Sequence, residues 1–454
     1  MAFRKFHLST CFAAAVGMLV LAGCGGSDKQ MAPLAYASVR IVHASPDAPS
    51  VDINLNGSPS VTDLDYGQAT VDINAKPGAL NVSVLGRLPG NARPAVIGPA
   101  DIMLAAGGAY AVLAVNNAAA IEPLVVTRET STVAASSVRL QVVHAAPAAP
   151  AVAVYVTMPG ADLAASAPVG SFAFKEVLPA ATIAAGDYQI RVTPAGASSP
   201  VIYDSGTVTL AGGSDLLVVA LQNTGPGTAP ISLLAVPRTG ATAQLLDRAT
   251  PARVRVIHAS PDAPAVQVVA NGNFAAPLVP SLAFPNATPF VEVPGAAYNL
   301  KVTPVGNNGA IVINADVTLA AGSEYSVYAV DQLANIMPLV LTDNRRRVAT
   351  QARVRIVHAS PSAGNVDLYV LAPGTALTNA MPAFSNVPFK ADTGYVDLAA
   401  GTYEVSVTPT ASKMAAIGPV SITVANGGVY TVAARDAVGG GVPLSVIPLD
   451  DLAP

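Results

Sequence analysis

One stretch recurs through this chain and sets the scale on which it folds. Residues 39 to 49 read Val-Arg-Ile-Val-His-Ala-Ser-Pro-Asp-Ala-Pro, and close relatives of this motif surround His144, His258 and His358. The motif returns at intervals of roughly 100 residues, whereas solenoid and propeller repeats run about 20 to 50 residues. A unit of this length is a whole domain with a core of its own. The sequence therefore predicts four tandem domains.

Other repeated segments predict that these domains are built from β-strands. Apolar and polar residues alternate from Tyr188 to Pro194, from Tyr298 to Pro304 and from Tyr403 to Pro409. Such alternation is typical of a strand with one face on a core and one in water. Glycine and proline interrupt these short strands, and no apolar helical period persists. We predict an all-β fold of four antiparallel Ig-like β-sandwich domains, with roughly seven strands in each domain.

The domain boundaries follow from the repeats and the polar segments between them. We place the sandwiches at residues 38-130, 137-248, 252-347 and 352-454, arranged as beads on a string. The segment before the last domain contains the basic cluster Arg345-Arg346-Arg347. A charge run between domains is usually solvated, so we interpret it as an exposed linker with a binding patch as the alternative.

The N-terminus has the pattern of an export signal. Arg4 and Lys5 precede an uncharged run, which ends at Leu21-Ala22-Gly23-Cys24. This arrangement indicates a secretory leader. Its last four residues resemble the lipobox of bacterial lipoproteins, which implies an acylated Cys24 at the mature N-terminus. We predict a lipoprotein signal peptide over 1-23 and a flexible tether over 24-37. An ordinary signal peptide with a stray cysteine is the alternative.

The predicted location follows from the residues around the anchor. An aspartate directly after the acylated cysteine tends to retain proteobacterial lipoproteins at the inner membrane, and Gly25 stands there instead. We therefore expect an outer-membrane lipoprotein of the cell envelope. The other cysteine, Cys11, lies in the leader, so the mature chain has no thiol pair for a disulfide.

Composition narrows the partners that we expect. The formal net charge is -4, so we predict that nucleic acid is not a partner. Tryptophan is absent and aromatic residues are 5%, which argues against stacking platforms for sugars or bases. We expect the membrane, through the lipid anchor, as one partner and an envelope protein or polysaccharide as another. We predict no cofactor.

The repeated motif allows a structural and a catalytic interpretation. In the structural one, each histidine ends an apolar strand face, a ring nitrogen bonds a carbonyl or a turn hydroxyl, and the proline ends the strand. In the catalytic one, His43, Ser45 and Asp47 form a hydrolytic set. The second copy has alanine for both serine and aspartate, which favours the structural interpretation. The recurring positions, structural and available for binding, are His43, Pro46, His144, Pro147, His258, Pro261, His358 and Pro361.

These residues also resemble a known family. The sequence Val-His-Ala-Ser-Pro-Asp-Ala-Pro is similar to a bacterial extracytoplasmic family known as domain of unknown function 4397. The resemblance covers nearly the whole mature chain as four copies and is strongest at 41 to 52, 256 to 268 and 356 to 368. It implies a secreted or lipid-anchored β-domain and brings no established activity.

The histidines and one polar segment bear on metal binding. One histidine per domain cannot complete a zinc site, so we predict no metal. The alternative is calcium bound by Asp52, Asn54, Asn56 and Asp63, whose spacing matches the opening of an EF-hand loop. A strand that ends in an Asn-Gly hairpin turn explains the same residues.

These observations favour a non-enzymatic function. We expect a lipid-anchored envelope protein whose β-sandwich repeats form a structural or binding, adhesion-like module. A periplasmic ligand carrier is the first alternative, and a large apolar cavity at an interface between domains would favour it. A hydrolase that uses the His-Ala-Ser-Pro-Asp motif is the second.

Overall fold

The structure is a computed structural model, and it describes residues 35–453. The predicted signal peptide, the predicted lipid attachment site at Cys24 and most of the predicted tether lie outside the described residues. Strands make up the secondary structure of the described part, and its four helices are single 3-10 turns. The all-β class and the repeated organisation are confirmed.

The first two repeats contain the following elements. Repeat 1 has eight strands: β1 (Ala37–His43), β2 (Val51–Leu55), β3 (Ser58–Leu64), β4 (Ile73–Ala75), β5 (Gly78–Gly86), β6 (Ala95–Leu104), β7 (Ala109–Val115) and β8 (Glu122–Arg128). Its 3-10 turns are Pro89–Asn91 and Ala118–Ala120. Repeat 2 has nine strands: β9 (Ser137–His144), β10 (Val152–Thr157), β11 (Gly170–Phe172), β12 (Ala181–Ala184), β13 (Gly186–Pro194), β14 (Tyr203–Leu210), β15 (Asp215–Gln222), β16 (Ile231–Pro237) and β17 (Ala243–Leu245).

The last two repeats follow the same plan. Repeat 3 has β18 (Ala252–His258), β19 (Val266–Ala270), β20 (Val279–Leu282), β21 (Val291–Val293), β22 (Ala296–Pro304), β23 (Ile313–Leu319), β24 (Glu324–Val330) and β25 (Met337–Asp343), with a 3-10 turn at Leu333–Asn335. Repeat 4 has β26 (Ala352–His358), β27 (Val366–Leu371), β28 (Phe384–Val387), β29 (Asp392–Leu398), β30 (Gly401–Pro409), β31 (Ile417–Val424), β32 (Val429–Arg435) and β33 (Ser445–Asp450), with a 3-10 turn at Leu377–Asn379. Each repeat thus has one or two strands more than the expected seven.

Each repeat is a sandwich of two sheets. In repeat 1 the strand orders are β4-β1-β7-β8 and β3-β2-β5-β6, and the other repeats reproduce this arrangement. The sheets are mainly antiparallel, as predicted, and each repeat adds one parallel pair. In every repeat the motif strand pairs in parallel with the seventh strand of the same repeat, for example β1 with β7. β7 reaches β1 only after β5 and β6 have completed the second sheet, and not through a hairpin, so it can run in the same direction as β1.

The alternation seen in the sequence places one side of each strand in the sandwich core. Along β5, Leu80, Val82 and Val84 are buried, while Asn81 and Ser83 between them are partly exposed. In repeats 2, 3 and 4, the tyrosine that begins the alternating segment hydrogen-bonds the turn before the corresponding strand. The hydroxyls of Tyr188, Tyr298 and Tyr403 donate to the carbonyl four residues upstream, at 2.9, 2.7 and 3.0 Å.

The motif strands are buried on both faces, and this is how neighbouring repeats meet. Val39 and Ile41 face the core inside repeat 1. Val42 faces the other way and packs with Val143 and Leu217 of repeat 2. A fully buried side chain of this size contributes about 1.5–3 kcal/mol, so these shared clusters hold repeats together.

Repeats 3 and 4 share a cluster of the same kind. Ile257 and Tyr328 pack there with Val357 and Ala433. The repeats in each pair are therefore not independent beads, because the outer face of one sheet is completed by the sheet of its neighbour. If a repeat were alone, the apolar outer face of its motif sheet would be exposed to water.

Buried ion pairs reinforce the junction between repeats 3 and 4. Arg255 of repeat 3 pairs with Asp451 of repeat 4 at 2.7 Å, and Arg355 of repeat 4 pairs with Asp343 at the end of repeat 3. All four side chains are buried. The exchange is reciprocal, as in a two-fold related dimer.

Candidate functional site

The four motif histidines are buried at the end of their strands. Each Nε2 lies close to the carbonyl oxygen of the residue six positions later. The distances are 2.9 Å from His43 to Pro49, 3.1 Å from His144 to Pro150, 3.0 Å from His258 to Pro264 and 2.7 Å from His358 to Gly364. The histidine therefore closes the loop that its own motif forms.

The second ring nitrogen determines the tautomer. The backbone N–H two residues after the histidine points at Nδ1 in three repeats, at 3.4 Å for His43 and 3.3 Å for His144 and His358. Because Nδ1 accepts there, Nε2 carries the proton and donates to the carbonyl. In repeat 3, Nδ1 of His258 is buried without a partner among the described residues. These rings have no free nitrogen at a surface where a substrate could be deprotonated.

Burial lowers the pKa of all four histidines below the ordinary value of 6.5. The hydrogen bond to the carbonyl opposes this effect in each case. Desolvation disfavours the imidazolium form, so each ring is held neutral. A neutral, enclosed imidazole with its proton committed to a carbonyl is a structural group.

An aromatic ring meets the edge of each histidine, and a cation lies over that aromatic ring. The aromatic partners, with centroids 6.0–6.3 Å from the imidazole, are Tyr66, Phe174, Phe284 and Phe389. The cations lie 5.3–5.8 Å from the aromatic centroids and are Arg346, Lys175, Arg435 and Lys390, respectively. Repeats 2 and 4 supply the cation themselves, whereas repeats 1 and 3 receive it from a later part of the chain. Sequence reasoning missed these groups because loops of different length separate them from the histidine.

The cluster Arg345-Arg346-Arg347, which we call the arginine linker, is not a solvated linker as predicted. Arg346 is only 8% exposed. Its guanidinium donates to the carbonyls of Pro46, at 3.3 Å, and Ala48, at 2.8 Å, and pairs with Asp65. It is buried because the motif loop of repeat 1 offers carbonyls, and Asp65 after β3 offers a carboxylate, that match its planar donors. The linker before repeat 4 is thus locked onto repeat 1.

The two flanking arginines differ from Arg346. Arg345 stacks on Phe290, with its guanidinium carbon 4.2 Å from the ring centroid, and pairs with Glu324 at 3.2 Å. Arg347 is exposed and has no hydrogen-bond or ion-pair partner among residues 35–453. The three neighbours therefore have three different environments, which their identical side chains do not predict.

Polar cavities adjoin the arginine linker. The first cavity, of about 590 Å³, lies where residues of repeats 1, 2 and 3 meet the linker, and its walls include Gln68, Asn223, Thr224, Ser323, Glu324 and Arg345. The second cavity, of about 490 Å³, is lined by Asp47, Asn117, Thr224, Arg253, Arg345 and Arg347, among others. Both volumes are in the range of small-molecule sites.

Comparison with known proteins places this chain in a family. The sequence profile of a domain of unknown function, DUF4397, matches residues 37–155, 252–369 and 372–454, which together exceed half of the chain. The chain belongs to the DUF4397 family. The first two matches each run past the end of one repeat, through the motif strand of the next and into the strand after it. A comparison with curated proteins finds no match.

Two solved structures have a remote likeness to this DUF4397 protein. One is the Bacillus anthracis TIE protein, with 10% identity and a TM-score of 0.15, over 85% of this chain and 65% of that one. Another is a leucine-rich repeat protein from Bacteroides thetaiotaomicron VPI-5482, with 11% identity and a TM-score of 0.13, over 41% of this chain and 26% of that one. The chain spans less than two thirds of either protein. TM-scores this low do not indicate a shared fold.

The prolines and the variable residues of the DUF4397 motif shape its loop. Pro46 and Pro261 are buried, whereas Pro147 and Pro361 are partly exposed. The motif aspartates accept from the loop after the parallel strand, where Ala118 N–H lies 2.7 Å from Asp47 and Leu333 N–H lies 2.7 Å from Asp262.

Repeats without a motif aspartate hold that loop with residues of the loop itself. In repeat 4, where Ser362 replaces the aspartate, Asp436 accepts from the hydroxyl of Ser360. In repeat 2, where Ala148 replaces it, Asn223 bonds the carbonyl of Ala229 at 3.0 Å. The interchange of residues within the motif therefore has a structural compensation.

The side chains of His43, Ser45 and Asp47, which the catalytic interpretation requires to converge, do not do so in this DUF4397 protein. The hydroxyl of Ser45 is buried and has no hydrogen-bond partner among the described residues. The Asp47 carboxylate is bonded to a backbone N–H, while Nε2 of His43 is bonded to Pro49. Serine, histidine and aspartate therefore do not form a relay.

The calcium alternative is not supported by the placement of its residues. Arg87 and Arg93 occupy the Asp52 carboxylate, at 3.0 and 2.8 Å. Asn56 forms the hairpin turn with Gly57, both at positive φ, and Asp63 is exposed. The pKa of Asp52 is lowered: burial opposes the shift, and the Asp63 N–H and both arginines cause it. Among residues 35–453, no group of three or more His, Cys, Asp or Glu residues is arranged to hold a metal ion.

A membrane-spanning helix is not found in the part of the chain that the structure describes, since no helix there is long and apolar enough.

Proposed function

We propose that this protein is a non-enzymatic envelope protein whose DUF4397 repeats form a binding module. In this fold the motif loops and the junction between repeats have separate roles, and this division carries the proposal. The motif histidines are committed to closing their own loops. The junction between repeats retains polar cavities of small-molecule size. Ligand binding at that junction is the role that this division favours.

The polarity of the cavity walls distinguishes between an apolar and a polar ligand. A carrier of apolar ligands needs a large apolar cavity between repeats. The walls of the first cavity instead carry amides, hydroxyls and charged groups. The proposal therefore concerns a polar ligand, which fits an envelope polysaccharide better than a lipid.

Envelope capture tests the binding role. The full chain, purified in detergent, is used to capture components of solubilised envelopes. Thr224 is exposed and lines both cavities. Thr224→Trp should block capture, whereas Thr62→Trp on the exposed side of β3 should preserve it. Equal capture by the two variants, or no specific capture by the natural chain, would refute the binding role.

We also propose that Cys24 anchors the protein in the membrane through a lipid, with Gly25 favouring the outer membrane. The support is the match of residues 21 to 24 to a lipobox after a basic and an apolar segment. Cys24→Ser should move the protein from the membrane fraction to the soluble fraction. A variant that stays membrane-bound to the same extent would remove the anchor from the proposal.

A further inference from the structure

We infer that the second cavity, between repeats 1, 2 and 3 and the arginine linker, binds an anionic group of a polar ligand. This inference rests on the proposed function and specifies the chemistry of its ligand. Three arginines line this cavity, namely Arg253, Arg345 and Arg347, against two acidic residues, Asp47 and Glu324. Its lining therefore carries one more positive than negative charge.

The ion pairs and hydrogen bonds that these charged residues already form determine where an anion would bind. Glu324 is shared by Arg253 and Arg345, at 2.8 and 3.2 Å, and Arg253 also pairs with Glu292 at 2.6 Å. Asp47 holds the N–H of Ala118. Arg347 is the arginine of this lining that has no counter-charge among residues 35–453. Its five donors are open to a carboxylate or a phosphate, both of which match a guanidinium.

The rest of the cavity supplies partners for the neutral part of a ligand. Asn117, Asn223 and Thr224 line it and offer amide and hydroxyl groups. Gln222 lies in the walls of both cavities, and its side-chain oxygen is buried without a hydrogen-bond partner among the described residues. That oxygen has almost no exposed surface, so it belongs to the wall of the cavities and does not meet a ligand directly.

The same guanidinium chemistry is already used a few ångströms along the chain. Arg346 binds two carbonyls and a carboxylate of repeat 1, which fixes the backbone of the arginine linker. Arg347 is therefore presented from a segment that is held in place. Because the backbone that carries Arg347 is already ordered, binding costs less entropy than it would on a mobile loop.

Calorimetric titration of the full chain in detergent tests the inference. The probes are D-galacturonate, inorganic phosphate and neutral D-galactose. We expect at least one anion to bind more tightly than galactose, and Arg347→Gln to weaken that binding about tenfold. Preference for galacturonate would indicate a carboxylated sugar, and preference for phosphate would indicate a phosphorylated ligand.

Lys76→Gln is the matched control, because Lys76 is also exposed and also lacks an ion-pair partner among the described residues. It should leave anion binding unchanged. Equal losses in the two variants would reduce the effect to general charge, and no preference for an anion would overturn the inference. If anion binding fails while envelope capture persists and remains sensitive to Thr224→Trp, the binding role stands and only the anionic class is wrong.

Discussion

The Nε2 atom of His43 lies 2.9 Å from the carbonyl oxygen of Pro49, and both residues are buried. This bond closes the loop between the motif strand and the first strand of the opposite sheet. Equivalent bonds recur in the other three repeats. The histidine therefore joins the two sheets of each sandwich at the point where the chain crosses between them.

Replacing this histidine should destabilise its repeat. His43→Ala leaves the Pro49 carbonyl without its donor and opens a cavity beside Tyr66, so we expect a loss of about 3 kcal/mol in the free energy of unfolding. Urea denaturation measures it. Lys76→Ala, at an exposed position, should change stability by less than about 0.5 kcal/mol. Similar effects of the two substitutions would contradict the structural role of His43.

The histidines should also make stability depend on pH. Their pKa is lowered by burial in the folded protein, so the unfolded chain binds protons first as the pH falls. Their contribution is complete well above pH 6.5 and is lost below it, by about 1.36 kcal/mol per pH unit and histidine until the folded pKa is reached.

Urea denaturation between pH 7.5 and pH 5.5 tests this dependence. Near His43, Arg346 also lowers the histidine pKa and Asp65 raises it, so those charges must be kept. A protein with His43→Gln and His258→Gln should lose a smaller amount of stability over the same pH interval. An unchanged slope would assign the pH dependence to other groups.

The lock formed by Arg346 predicts different outcomes for adjacent arginines. Arg346→Ala removes donors from two buried carbonyls and the partner of Asp65, so we expect about 2–4 kcal/mol of destabilisation. Arg347→Ala removes an exposed side chain and should cost less than about 0.5 kcal/mol. Thermal unfolding of the two variants measures the difference. Equal melting temperatures would show that the lock contributes nothing to stability.

The reciprocal ion pairs between repeats 3 and 4 can be separated by a double-mutant cycle. Arg255→Met or Asp451→Leu alone leaves a buried charge without its partner, at a cost of about 3–5 kcal/mol. The double variant should recover much of that loss, because no charge is stranded. Additive losses in urea denaturation would show that Arg255 and Asp451 are not coupled.

Much of the fold could be predicted from local patterns. The alternation in segments such as Leu80 to Val84 depends only on the two-residue period of a strand, and the structure has strands there. The Asn56-Gly57 turn was also readable, since both residues tolerate positive φ. The parallel pairing of β1 with β7 could not be read, because it depends on the path of the chain through a second sheet.

The candidate site was harder to predict for the same reason. His43 and Pro46 are visible as repeated letters, whereas Tyr66 and Arg346 reach the same place from elsewhere in the chain. Nothing local distinguishes Arg346 from Arg345 and Arg347. Their separate environments arise only when the linker meets the motif loop of repeat 1.

The repeat, the strand pattern and the position of the histidine at the end of its strand could be derived from the amino-acid sequence, because they follow from short-range periodicity and backbone chemistry. Which sheet faces pack together, which arginine is buried and where polar cavities remain are set by long-range contacts. These outcomes depend on matching surfaces and charges that lie hundreds of residues apart, as in the contact of Arg346 with Ala48. Complementarity of that kind is a property of the assembled repeats.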